Sequence, residues 1–195
     1  MKLVLASSSS ARRAMLQSAG VPFEPRDSDF DEEEARARLG AAGPSEVAAA
    51  LAEGKALSAV AAKGDIVLGA DQTLERQDGS LLAKPGSRDE AMMQLRSLGG
   101  RTHRLHSAAA IAENGAIVWR GSETAALTMR PLSDEFLERY LDHEYDAIRW
   151  SVGGYRIEGL GAQLFERIEG SHFAILGLPL LPLLSWLRKR GLLPS

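Results

Sequence analysis

The 195-residue chain contains no cysteine. That excludes disulfides, thiolate metal sites and a cysteine nucleophile, and it fits a reducing compartment. A bound metal would be held by oxygen or imidazole. No sign of charge dominates: 23 Lys and Arg stand against 26 Asp and Glu, a formal net charge of -3. No global basic field therefore draws the chain to nucleic acid or to an anionic membrane, and a phosphate ligand would have to be gripped by local charges. Long apolar runs are missing as well. Residues 173–187 come nearest, but Gly177, Pro179 and Pro182 interrupt them and the stretch is short of a membrane span. Residues 1–6 are too short an apolar run for a signal peptide. The expectation is a cytoplasmic chain with no membrane or nucleic-acid partner. Common catalytic signatures are absent too: no Gly-x-x-x-x-Gly-Lys-Ser/Thr loop, no Gly-x-Ser-x-Gly elbow, no Gly-x-Gly-x-x-Gly opening a helix and no His-Glu-x-x-His.

With 45% hydrophobic and 25% charged residues, the chain can bury a real core as one domain or two closely packed lobes. Leu3-Val4-Leu5 reads as a strand, and Met15, Leu16 and Ala19 follow at helical spacing, with serines as caps and Gly20 as the stop. Residues 26–43 carry Asp27, Asp29, Asp31, Glu32, Glu33 and Glu34 and predict an exposed acidic loop running into a short helix. The alanine-rich stretch 46–62 predicts a helix despite Gly54. The apolar run 66–70 predicts a central strand that delivers Asp71 at its carboxyl end, and Asp78-Gly79 pairs it with Leu81-Leu82.

Residues 88–98 predict a helix, and 102–112 with 116–129 predict a long antiparallel pair joined by Asn114-Gly115. Ser133 caps a helix expected to reach Tyr140 or Leu141, with Phe136, Leu137 and Tyr140 inward. Gly153, Gly154, Gly159 and Gly161 mark tight turning or close approach to a ligand, residues 163–168 alternate like a strand, and 179–190 predict the last helix after a buried loop. The expected fold is α/β: a mixed twisted sheet with flanking helices, in two lobes of residues 1–62 plus 150–195 and 63–149.

Several side chains are candidates for chemistry. A strand, a turn of small residues and a helix start form an anion site from outward backbone N–H groups, to which Arg12 and Arg13 add guanidinium forks. Asp71 stands where open α/β sheets place ligands, as a metal ligand or general base, or else as the cap of the next turn. Gln72 reads a base edge or alternates outward. Lys55 and Lys84 suit phosphate oxygens as mobile point charges, though either alone is more often a solvated surface lysine. Glu32 completes a divalent cation site or belongs to a solvated acidic loop. His103, His106, His143 and His172 lack metal-ligand spacing and are read as structural.

Leu5-Ala6-Ser7 followed by Arg12-Arg13, Leu51-Ala52-x-x-Lys55-Ala56, Gly69-Ala70-Asp71-Gln72, Lys84-Pro85 and Gly153-Gly154-Tyr155-x-Ile157-Glu158-Gly159-Leu160-Gly161 together resemble the Maf family of nucleoside triphosphate pyrophosphatases. Ile168-Glu169-Gly170 and Leu176-Gly177-Leu178-Pro179-Leu180 agree with it. The resemblance implies hydrolysis of a nucleoside triphosphate to the monophosphate and pyrophosphate with Mg²⁺ or Mn²⁺. It also implies a Maf or inosine-triphosphatase-like fold with a nucleotide cleft between two lobes, often as a homodimer. Asp71 would activate water, Ser7, Arg12, Arg13, Lys55 and Lys84 would bind phosphate, and Glu32 would join Asp71 on the metal.

The dTTP/UTP branch of that family has Pro-Arg-Arg, Ala-Asp-Thr and Ile-Gln-Gly where this chain has Ala11-Arg12-Arg13, Ala70-Asp71-Gln72 and Ile157-Glu158-Gly159. Gln72, Glu158 and residues 164–170 look more like the 7-methyl-GTP pyrophosphatase branch, and Glu158 suits a purine carrying donors. That branch has Pro-Trp before its arginines where Ser10-Ala11 stand here, so Ala11 becomes a specificity position and the base stays open. A non-catalytic nucleotide-binding regulator of division or growth is the alternative function. An inosine-triphosphate type of pyrophosphatase is a third.

Overall fold

Residues 1–194 are described in a computed structural model of the chain. Strand β1 (Leu3–Ala6) is buried throughout because it runs parallel to β2 (Glu24–Arg26) on one side and to β3 (Ile66–Glu75) on the other. Its period-two alternation serves two helical layers. Leu3 and Leu5 pack with Met15 and Leu16 of α1 (Ser10–Ser18) and with Leu183 and Leu187 of α7 (Leu180–Lys189). Val4 and Ala6 face the other way, onto Ala48, Ala52 and Ala56 of α3 (Pro44–Ser58). The alanines bring α3 down to backbone contact, since a Cβ on Gly69 of β3 would overlap the Ala52 carbonyl oxygen and the Ala56 amide nitrogen.

The seven-stranded sheet has the order β2-β1-β3-β5-β6-β7, with β4 (Leu81–Leu82) paired to the far end of β3 through Leu74 and Glu75. Strands β5 (Thr102–Glu113) and β6 (Ala116–Met129) turn at Asn114 and Gly115, whose φ of 49° and 80° are the two positive values a type I′ turn requires. Helix α4 (Arg88–Leu98) has the expected limits, with Ser87 as its cap. Helix α5 (Asp134–Ile148) opens on Ser133 as expected but runs past Tyr140 and Leu141. Its inward stripe continues through Glu144, a buried carboxylate whose polarity hid the helical period, and on to Ile148. Phe136 is half-buried rather than inward, with the Arg130 guanidinium 4.3 Å from its ring centre.

A 3-10 turn (Leu160–Leu164) precedes β7 (Phe165–Glu169), and α6 (His172–Ile175) follows it. Strand β7 answers the alternation of residues 163–168, whereas β2, the 3-10 turn and α6 were not apparent in the sequence, because none spans enough residues to display a period. The acidic segment forms α2 (Glu32–Leu39), capped by Asp31. Gly54 is where the Phe30 ring lies against α3: a Cβ there would overlap it.

The chain divides into two compact units. The first holds Met1–Gln72, His106–Thr124 and the described residues from Ser171 onward, and the second holds Thr73–Leu105 and Ala125–Gly170. These limits depart from the expected 62/63 and 149/150: β3, β5 and β6 each run through both units, so three divisions fall within strands, and the fourth follows β7, between Gly170 and Ser171. Among the described residues no helix is long and apolar enough to cross a membrane.

Candidate active site

In the first unit, β1 hands over to α1 through Ser7, Ser8 and Ser9. Ser9 caps the helix by accepting from the Arg12 amide at 3.4 Å, and Ser7 Oγ accepts from the Ser9 amide at 3.3 Å. Arg12 is buried, 9% exposed. Its Nε donates to the Gly177 carbonyl at 2.8 Å and its Nη1 to Ser7 Oγ at 3.3 Å, both neutral acceptors. Burial pulls its guanidinium below the ordinary value, while Asp71 and Glu32 act in the opposite sense. Arg13 donates through Nε and Nη2 to the Ser7 carbonyl at 3.2 and 3.1 Å. Ala11 is half-buried in the first turn of α1, beside these arginines in sequence.

Asp71 lies inside β3, which continues to Glu75, rather than at the strand's end. The position is still the carboxyl end of the parallel part: β1 pairs only as far as Ala6 with Gly69, and there it turns away into the serines. Asp71 is 5% exposed. Its Oδ1 accepts from Lys55 Nζ at 2.6 Å and its Oδ2 from Arg36 Nη2 at 3.5 Å. Glu32 Oε1 meets the same Lys55 Nζ at 2.8 Å. The contact between Gly69 and α3 explains this meeting, since Lys55 sits between the residues that touch Gly69 and Asp71 lies two places beyond it. Lys55 and Arg36 thus pair with Asp71, Lys55 pairs with Glu32 as well, and Arg12 lies within electrostatic reach of both carboxylates.

Gln72 turns its amide nitrogen to Ser107 Oγ at 2.9 Å and to the Ala174 and Ile175 carbonyls at 2.8 and 3.0 Å, tying α6 to β3. Lys84 and Glu158 are exposed and belong to the second unit. Arg36 was missed by sequence reasoning, although its place four residues after Glu32 put both on one helical face.

In the second unit the glycine-rich segment is held from α5. Glu144 accepts from Arg156 Nε at 2.6 Å and from Nη2 at 3.3 Å. Tyr140 OH donates to the Gly154 carbonyl at 3.3 Å. Gly161 passes so close to Arg156 that a Cβ would overlap its carbonyl oxygen. Nearby His103, 1% exposed, lies 2.6 Å through Nε2 from Tyr155 OH, while its buried Nδ1 has no partner. Burial pulls this imidazole down to about 4.

No group of three or more His, Asp or Glu among the described residues gathers as a ready cation cage. Asp71 and Glu32, with hard oxygens brought together on one ammonium, do fit the usual Mg²⁺ arrangement of one or two carboxylates completed by substrate phosphates.

A family model described as Maf-like protein matches residues 2–190. A nucleoside triphosphate pyrophosphatase of Sphingopyxis alaskensis is 52% identical over 198 residues, covering 100% of each chain. Proteins of the same name from Rhodopseudomonas palustris (strain BisB18) and Caulobacter vibrioides are 50% and 48% identical, each over 98% of this chain and over 95% and 96% of their own. Among solved structures, a HAM1 protein from Coxiella burnetii superposes with a TM-score of 0.43 at 17% identity, over 66% of this chain and 73% of its own. The family model spans residues 2–190 and these relatives cover the chain from end to end, so the chain belongs to the Maf-like family.

Proposed function

We propose that the chain is a nucleoside triphosphate pyrophosphatase, hydrolysing a nucleoside triphosphate to the monophosphate and pyrophosphate. The observation that carries the reading is the buried Asp71 carboxylate, held at 2.6 Å by Lys55 in the same unit as the Arg12 loop. Water oxygen bonds to the α-phosphorus, the bond from that phosphorus to the bridging oxygen breaks, and pyrophosphate leaves with the electron pair. Asp71 orients the water and takes its proton. Arg12, Arg13 and Lys55 bind phosphate oxygens and offset the charge that develops on them. Ser7 supports Arg12 and presents its hydroxyl to the same ligand. For Lys84 and Glu158, as phosphate and base contacts, the support is the family motif.

Asp71 and Glu32 would hold a divalent cation together with the triphosphate. The cation would supply charge neutralisation and a more acidic bound water. The test is pyrophosphate release from a panel of canonical and methylated nucleoside triphosphates with Mg²⁺ or Mn²⁺. Asp71→Asn should lose about a hundredfold or more in kcat while keeping its circular dichroism. Binding across the panel without turnover would instead support the regulator reading.

A further inference from the structure

Helix α2 buries none of its residues. It rests on the first unit through the Phe30 ring against Gly54, the Ser28 to Ser58 hydroxyl contact at 2.6 Å, and two ion pairs, Glu32 to Lys55 and Arg36 to Asp71. The pairs differ in kind. The Lys55 side chain is 12% exposed and touches both carboxylates, at 2.6 and 2.8 Å. The Arg36 side chain is 39% exposed and reaches Asp71 Oδ2 only at 3.5 Å. A contact so long and so open to water is weak. Asp71 has a closer cation in Lys55, which it shares with Glu32, so Arg36 is the longer and more solvent-open of its two cationic partners. Its guanidinium carries five donors in a fork that matches phosphate oxygens, and one of them is given to Asp71.

We infer that Arg36 is a further phosphate-binding residue, resting on Asp71 Oδ2 in the nucleotide-free protein and transferring to the phosphates when nucleotide binds. The inference rests on the reading of this unit as a triphosphate site. Because α2 contributes no buried side chain, the transfer needs only side-chain rotation or a small shift of α2 and leaves the core undisturbed. While it rests on Oδ2, Arg36 also opposes a divalent cation at Asp71. Its removal therefore acts in two directions at once: the nucleotide-free protein gains affinity for a cation and loses affinity for phosphates.

The experiment compares the full chain with Arg36→Ala, Arg36→Lys and, as a control for charge on α2, Arg38→Ala. Arg38 pairs with Glu34 and its side chain is 75% exposed. Mn²⁺ is titrated into nucleotide-free protein and followed by electron paramagnetic resonance of the free ion. Inorganic pyrophosphate is titrated without divalent cation by calorimetry. Arg36→Ala should bind Mn²⁺ about threefold more tightly, the scale of losing one half-exposed ion pair. It should bind pyrophosphate about tenfold more weakly, the scale of one charge-assisted hydrogen bond. Arg36→Lys should recover part of the pyrophosphate affinity, and Arg38→Ala should alter neither titration. A purely structural role cannot move the two affinities in opposite directions. Unchanged affinities in Arg36→Ala, or both moving the same way, would overturn the inference. If the unmodified protein turns over no nucleoside triphosphate, the proposed function fails, whereas the paired titrations still decide the role of Arg36.

Discussion

Lys55 Nζ lies 2.6 Å from Asp71 Oδ1, joining a helix to a strand at a point where the lysine side chain is 12% and the aspartate side chain 7% exposed. Two charges so far out of water depend on each other. Lys55→Ala should therefore destabilise the protein by about 3 kcal/mol, because it leaves the buried Asp71 carboxylate only the longer Arg36 contact. Adding Asp71→Asn to that variant should restore part of the loss. Urea unfolding of the two single variants and the double variant measures the coupling, and simple additivity would mean that the pair is independent.

The Lys55 to Asp71 contact requires β3 and α3 to touch through their backbones. Gly69→Ala places a methyl group where the Ala52 carbonyl oxygen and the Ala56 amide already stand, and neither can withdraw without moving a helix. The expected outcome is a variant that is largely insoluble or unfolded by circular dichroism, with a cost of about 3 kcal/mol or more from overpacking.

Gly177 supports Arg12 from the other side. Its carbonyl accepts from Arg12 Nε at 2.8 Å, its φ is +96°, and a Cβ would stand 3.3 Å from Arg12 Nη2. Gly177→Ala should cost about 1–3 kcal/mol through backbone strain and should move Arg12. Steady-state kinetics should show a raised KM for nucleoside triphosphate with a smaller change in kcat, since Asp71 and Lys55 are untouched. An unchanged KM would separate Gly177 from the Arg12 grip.

Stability should depend on pH through His103. Folded, the imidazole titrates at about 4; its ordinary value is 6.5. Between those values the unfolded chain binds more protons than the folded one, so acid favours unfolding. The contribution is fully present above pH 6.5 and lost as pH falls toward 4, about 3 kcal/mol in all. His103→Gln retains a polar partner for Tyr155 and should flatten that part of the slope. Thermal unfolding from pH 7 to 4.5, compared between the two proteins, measures it.

The elements legible beforehand were those with long periods or strong local chemistry. Helix α4, the Asn114-Gly115 turn and the caps at Ser87 and Ser133 follow from side chains that act within a few residues of themselves. The apolar stripe of α5 breaks at Glu144, which hides the last two turns of the helix in the sequence, and pairing with Arg156 allows a carboxylate on that inward face. The three-residue β2 and four-residue α6 left no readable pattern. Strand β2 is held by pairing to β1, and Gln72 ties α6 to β3.

The residues of the site were open to the same division. Ser7, Arg12, Lys55, Asp71 and Glu32 could be singled out from residue type and motif, because anion and cation binding demand particular functional groups. Which of them touch could not, since Lys55 and Asp71 are 16 positions apart and Arg12 and Gly177 are 165 apart. Local sequence set the composition of strands, turns and caps, where the competing states differ by interactions among neighbours in the chain. The burial of Arg12, the sharing of Lys55 by two carboxylates and the resting place of Arg36 were decided by the packed fold, because charge burial and ion pairing depend on distances that only long-range packing determines.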